Sequence, residues 1–259
     1  MFRLAQSTTT NMSSASNIDE VIDILQGIVL SETQHNSPLA FFPALYQLVT
    51  VKVKQGIDRC EFDDNTRMEQ LDVRFANRYF DAYFAYKSGH PLSGSWRIVF
   101  ESSEKPLLVL QHLLSGMNAH INLDLGIAAA ETMKGKPIED IQDDFNAINQ
   151  ILSDLTMGVQ AAIGKVSPLI GLLDQWAGKS DTMLVGFSIN QARDGAWKNA
   201  VTIHKSDNQA DVILQRDRKI SALGLSLIYP ASRWVRTLLR LIGFFEKKEV
   251  RDIVQVMTG

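Results

Sequence analysis

A chain of 259 residues with 45% hydrophobic side chains can fill a sizeable core and lies far from the composition of a disordered chain. Its formal net charge of −3 argues against the concentrated basic surface that nucleic acid requires, so no nucleic-acid partner is expected. Cys60 is the single cysteine, which excludes an internal disulfide and any cysteine-built zinc site, and it fits a reducing, cytoplasmic setting.

The opening MFRLAQSTTTNMSSASN has no apolar run long enough for an export signal, and no stretch of the chain reaches about 18 uninterrupted apolar residues. Ser, Thr and Asn dominate residues 7–17, so 1–16 reads as a mobile segment and 17–259 as one all-helical domain. Asn17 is placed to cap a first helix, with Glu20 at its third position as in a capping box. Val21, Ile24, Leu25, Ile28 and Val29 then recur at helical spacing. A second helix covers 39–57, and Pro43 inside it implies a kink or a later start. VTVKV at 49–53 is β-branched and alternating, yet Leu45, Leu48, Val49 and Val53 share one helical face. A third helix, 66–86, carries the stripe Met68, Leu71, Phe75, Tyr79 and Ala82. KSGHPLSGS is a loop by composition, and Trp96 opens a short segment ending near Phe100.

Pro106 starts a long helix that GKP at 135–137 ends. Helix 138–163 follows, with Ile141, Phe145, Ile148, Leu152, Leu155 and Val159 in register. Helical stretches at 168–177 and 181–204, helices near 208–222 and 231–245, and a short tail helix complete the chain. Strand signals are nearly absent. The fold expected is all-α, a single multi-helix bundle with antiparallel neighbours.

The long helix contains GMNAHINLDLG, residues 116–126. At 100° per residue its core stripe is Leu110, Leu114, Met117, Ile121 and Leu125. His120, Asp124 and Glu131 lie on one flank, within roughly 40° of each other. Asn118 and Asn122 lie on the other, near Gln111 and Ser115. His120 and Asp124 have the i,i+4 spacing by which one helix gives two ligands to a metal. The plainer alternative is a His–Asp hydrogen bond that fixes packing. His112 falls about 80° from His120 and is expected to face solvent. Gly116, Ala119 and Gly126 allow close packing on the remaining face.

Other polar residues border apolar stripes. Asp144 and Asn149 do so on the next helix, Asp144 as a candidate base; Asp143 beside it reads as solvated. Helix 66–86 adds Glu69, Asp72, Asn77, Arg78 and Asp81, and Arg78 could pair with a buried carboxylate. Arg193 and Trp197 are four apart and read as a structural stack. In PASRWVRTLLRLIGFF, Arg233, Arg236 and Arg240 share one face while Trp234, Leu238, Leu241, Ile242 and Phe245 take another. That is a basic amphipathic helix, suited to packing on the bundle or to peripheral contact with a membrane.

The stretches LAFFPALYQLVTVKV, FDDNTRMEQLDVRFANRYFDAY, LLSGMNAHINLDLGIA and DDFNAINQIL, in this order, resemble a mainly bacterial family of uncharacterised proteins known as a domain of unknown function. MNAHINLDL is the most specific part. The resemblance runs from about residue 37 to the Arg193–Trp197 region and implies a common helical domain, with no activity. HINLD is also similar to the His-x-x-x-Asp helix of the all-helical zinc-dependent phospholipase C and single-strand nuclease group, which uses three metals. Here LGIAAAE follows Asp124 and no later His-x-x-x-acid pair exists, so at most one or two metals are implied, by analogy of fold class.

Two functions are consistent with this pattern. In the first, the chain is a metal-dependent, hydrolase-like enzyme. His120, Asp124 and a carboxylate from Glu131 or a neighbouring helix hold Zn²⁺ or Fe²⁺, Asp144 is the base, and Asn118 or Asn122 orients an ester or phosphoester. In the second, a non-catalytic bundle takes up an apolar or lipid-like small molecule among the aromatics of FFPALY and NRYFDAYFAY, or docks on a membrane through 231–245.

Overall fold

Eleven α-helices, and no strand, occur among the residues that the computed structural model describes, 14–171, 189–247 and 249–259. They are α1 (Ile18–Gln34), α2 (Phe41–Asp58), α3 (Asn65–Lys87), α4 (Gly94–Glu101), α5 (Val109–Ala119), α6 (Leu125–Thr132) and α7 (Gln142–Val166), then α8 (Ile189–Lys205), α9 (Gln209–Ile228), α10 (Arg233–Phe245) and α11 (Val250–Thr258). The expected all-α bundle is the fold found. The helix expected at 168–177, and 181–188 of the one expected after it, lie outside the described residues except for 168–171. So do the side chains of Asn149, Leu152, Leu155 and Val159, and residues 1–13 of the expected mobile segment. Among the described residues, no helix is long and apolar enough to cross a membrane.

Local chemistry sets the helix ends. The Asn17 side chain accepts from the Glu20 N–H (2.9 Å), while Glu20 reaches back to the N–H of Ser16 (2.7 Å), one residue before its expected capping-box partner. Ala15, placed by sequence in the mobile segment, is buried and exchanges two hydrogen bonds with the Asn77 side chain. A 3₁₀ turn at Pro38–Ala40 precedes α2, which therefore starts at Phe41. Pro43 falls in its first turn, where no N–H is needed, and the VTVKV run continues the helix.

Several acids finish helices from elsewhere in the chain. Asp217 accepts the N–H groups of Gly94 (2.7 Å) and Ser95 (2.9 Å) at the start of α4. Glu246 accepts that of Val109 (3.1 Å) at the start of α5. These donors have no intrahelical partner, and a carboxylate there is also favoured by the helix dipole.

At the centre runs one long helix, α5 and α6 joined by a π-helical turn at His120–Asp124, against α2, α3, α4, α8 and α9. It begins at Val109, not at Pro106. Its burial departs from the expected wheel. Leu110, Met117 and Ile121 of the expected stripe are half-buried, whereas Gln111, Ser115, Asn118, His120, Asn122 and Asp124 are buried. Neighbouring helices cover most of its surface, so these polar residues lie within the core. His112 is buried too, against the edge of Phe41 (centroids 6.0 Å), and not in solvent. Close approach uses glycine where expected: a Cβ at Gly126 would meet the carbonyl oxygen of Ala196 on α8 at 2.7 Å.

Candidate functional site

The π turn places three buried polar residues, His120, Asn122 and Asp124, in one turn, and the widened turn is a feature often found at functional sites. Asp124 is its hub. Its Oδ1 accepts from Arg78 Nε (3.1 Å), and its Oδ2 accepts from Trp96 Nε1 (2.8 Å) and His120 Nδ1 (3.2 Å). A carboxylate paired with a guanidinium can only accept, so Nδ1 of His120 carries the proton and Nε2 presents the lone pair. The imidazole is held flat against Phe75, with ring centroids 3.6 Å apart and planes 8° apart. Tyr46 (4.7 Å), Phe42 (5.5 Å), Trp96 (6.0 Å) and Tyr79 (6.1 Å) surround it.

Burial in this aromatic box pushes the His120 pKa below its ordinary value, more than the Asp124 charge raises it. The ring is therefore neutral and basic at Nε2. That atom is buried and has no hydrogen-bond partner among the described residues. The same holds for the Tyr46 hydroxyl and for Oδ2 of Asp72. Asp72 lies one turn before Phe75 on α3, and its charge acts on the Tyr46 hydroxyl. Burial, with a smaller contribution from Glu69, raises the Asp72 carboxyl to about 7. Burial and the charges of Asp72 and Asp124 keep Tyr46 protonated.

Residues 18–230 match a family of unknown function, DUF5995. The chain belongs to the DUF5995 family. No curated protein and no solved structure matches it.

In this DUF5995 chain the metal set read from sequence does not assemble. Glu131 is half-exposed and approaches Arg78 Nη1 (3.7 Å), while Asp124 is committed to Arg78, Trp96 and His120. The Arg78 cation thus pairs with both carboxylates that Zn or Fe was expected to bind. Among the described residues no group of three or more His, Cys, Asp or Glu side chains is placed to hold a metal. The structure thus brings His120 and Asp124 together and sets Glu131 apart on Arg78.

The other candidates act as cross-links. Asp144, expected as a base, is buried and accepts from the N–H groups of Asp63 (2.7 Å) and Asp64 (3.3 Å) and from Arg67 Nη2 (2.6 Å). It anchors the start of α3. Asn118 donates to the Ile220 carbonyl of α9 (3.0 Å) and accepts from Asn122 (3.2 Å), whose own carbonyl accepts from Arg216 Nε (2.9 Å). Gln111 likewise donates to the Leu227 carbonyl in the last turn of α9 (2.9 Å). These bonds use the two asparagines to fix α9, and they do not point toward His120. Arg193 stacks on Phe145 (4.6 Å) and donates to its carbonyl; Trp197 packs on the same Phe145 ring. The expected Arg193–Trp197 stack is thus replaced by a shared partner.

Tyr46 was expected only among the aromatics of an apolar pocket, Phe75 and Trp96 were not expected as site residues, and Asp72 was expected only to border the α3 stripe. One signal was present. On the 100° wheel Asp72 falls inside the apolar stripe of α3, within about 60° of Met68, Phe75 and Tyr79. An acid within such a stripe is a buried acid.

Proposed function

We propose that this protein is a metal-free, hydrolase-like acid–base enzyme whose site is His120, Asp72 and Tyr46, with Asp124 as the positioning residue of His120. One observation carries the reading: three buried polar atoms, His120 Nε2, the Tyr46 hydroxyl and Asp72 Oδ2, lack hydrogen-bond partners in one aromatic neighbourhood. Each unpaired buried group costs about 1–3 kcal/mol. A fold does not collect such costs in one place without a compensating role. The environments also push the two titratable groups in opposite senses, the imidazole down and the carboxyl up to about 7. That separation assigns a base and an acid.

The substrate class follows from the surroundings of these three atoms. Aromatic walls disfavour a charged ligand, and Asp124 is already balanced by Arg78. A small uncharged ester suits it. His120 Nε2 takes the proton of a water molecule, whose oxygen attacks the carbonyl carbon. The Tyr46 hydroxyl donates to the oxygen on which negative charge develops. Protonated Asp72 gives its proton to the departing alkoxide, and the imidazolium then returns a proton to Asp72 through water. Ester and water become acid and alcohol, with both side chains restored.

Hydrolysis of 4-nitrophenyl acetate tests this. The wild type should accelerate it, and His120→Gln should lower the rate by roughly 10²-fold or more, the usual range for a general base. Asp72→Asn should lower it with the fold retained by circular dichroism. No hydrolysis, or hydrolysis indifferent to both substitutions, contradicts the reading.

A further inference from the structure

The α10 helix has more apolar surface than the bundle covers. Val235, Leu238, Leu239 and Ile242 pack on Leu108, Leu114 and Leu227 and fill its inward face. A second apolar set is left outside: Leu241 is 50%, Phe245 55% and Phe244 74% exposed. Phe244 and Phe245 stand edge to face, centroids 5.2 Å apart. On the helical wheel this outward set adjoins Arg233 and Arg240, both exposed, with Phe244 between the arginines and Leu241. No residue of Arg233–Phe245 is acidic. The next acid, Glu246, is buried at the start of α5. Among the described residues no carboxylate pairs with Arg233, Arg236 or Arg240. A chain of net charge −3 thus concentrates three unneutralised arginines beside three exposed apolar side chains on one helix.

We propose that the outward face of α10 docks on an anionic lipid bilayer surface. Three features select this occupant. The charge is positive and uncompensated, complementary to acidic headgroups. The apolar residues adjoin the arginines around the helix, so Leu241, Phe244 and Phe245 can enter the acyl boundary while the guanidiniums reach headgroup phosphates. The inward face is already packed, so docking needs no unfolding of the bundle. No described helix could span the bilayer, and the contact is peripheral.

Co-sedimentation of the full chain with vesicles tests this. Vesicles containing phosphatidylglycerol should carry the protein down at low salt, pure phosphatidylcholine vesicles should not, and added salt should release it. Arg233→Gln/Arg240→Gln should weaken binding roughly tenfold or more. Phe244→Ser/Phe245→Ser should weaken it as well, and because all four positions are exposed, circular dichroism should stay unchanged. Absence of sedimentation with anionic vesicles overturns the proposal, as does equal binding to phosphatidylcholine or wild-type binding by either double variant. Self-association in ultracentrifugation that Phe244→Ser/Phe245→Ser abolishes, without vesicle binding, would assign the face to a second copy of the chain instead.

Discussion

At the level of single residues, the site depends on where charge is tolerated. Asp124 is a fully buried carboxylate that the fold keeps by giving it a guanidinium, an indole N–H and an imidazole N–H. Asp72 receives nothing comparable on Oδ2 and responds by holding its proton to about 7. The consequence for stability has a definite sign. An unfolded Asp72 titrates near 3.8. Between that pH and about 7 the folded chain keeps a proton that the unfolded chain has released, so the favourable contribution, complete below 3.8, is lost as pH rises through 7. Asp72→Asn removes the penalty of ionising this group. Urea denaturation should find the variant close to wild type near pH 4 and more stable at pH 8, by an amount on the order of a few kcal/mol. A difference independent of pH would show that Asp72 is not held protonated. His112 works the other way. Burial lowers its pKa to about 4, so its contribution is complete above 6.5 and falls away as pH drops toward 4.

At the level of elements, three buried acids outside the site finish helices. Asp144 serves α3, Asp217 serves α4 and Glu246 serves α5. Residue type and periodicity cannot separate such a cap from a catalytic base, because both are acids beside an apolar stripe. Only the partner distinguishes them, and Asp144 meets its partners some 80 residues away in sequence. Asp144→Ala would strand two backbone N–H groups and the Arg67 guanidinium. It should destabilise the fold by about 3–5 kcal/mol in urea denaturation, the cost of breaking a buried pair. A loss below about 1 kcal/mol would mean that the α3 start does not depend on it.

For the whole molecule, the helical architecture was legible in sequence because apolar spacing, prolines and loop glycines agree along the chain. Even the β-branched VTVKV run yielded to its helical face. The site was legible in part. His120 and Asp124 stood out by spacing, and their i,i+4 hydrogen bond is present. Their surroundings were not legible for two physical reasons. A uniform 100° wheel presumes that polar residues mark the exposed side, whereas the half-buried side of the central helix is Leu110, Met117 and Ile121; the helix also passes through a π turn that breaks the register. The partners Arg78, Trp96 and Tyr46 arrive from three other helices, α3, α4 and α2, by tertiary packing alone.

The measurement that bears most directly on this account is nuclear magnetic resonance of the His120 ring nitrogens and the Asp72 carboxyl carbon across pH. His120 should be neutral at pH 7 with its proton on Nδ1, and the Asp72 carboxyl should titrate near 7. A doubly protonated His120 at pH 7, or an Asp72 already ionised at pH 5, would contradict the acid–base pair on which the proposed hydrolysis rests.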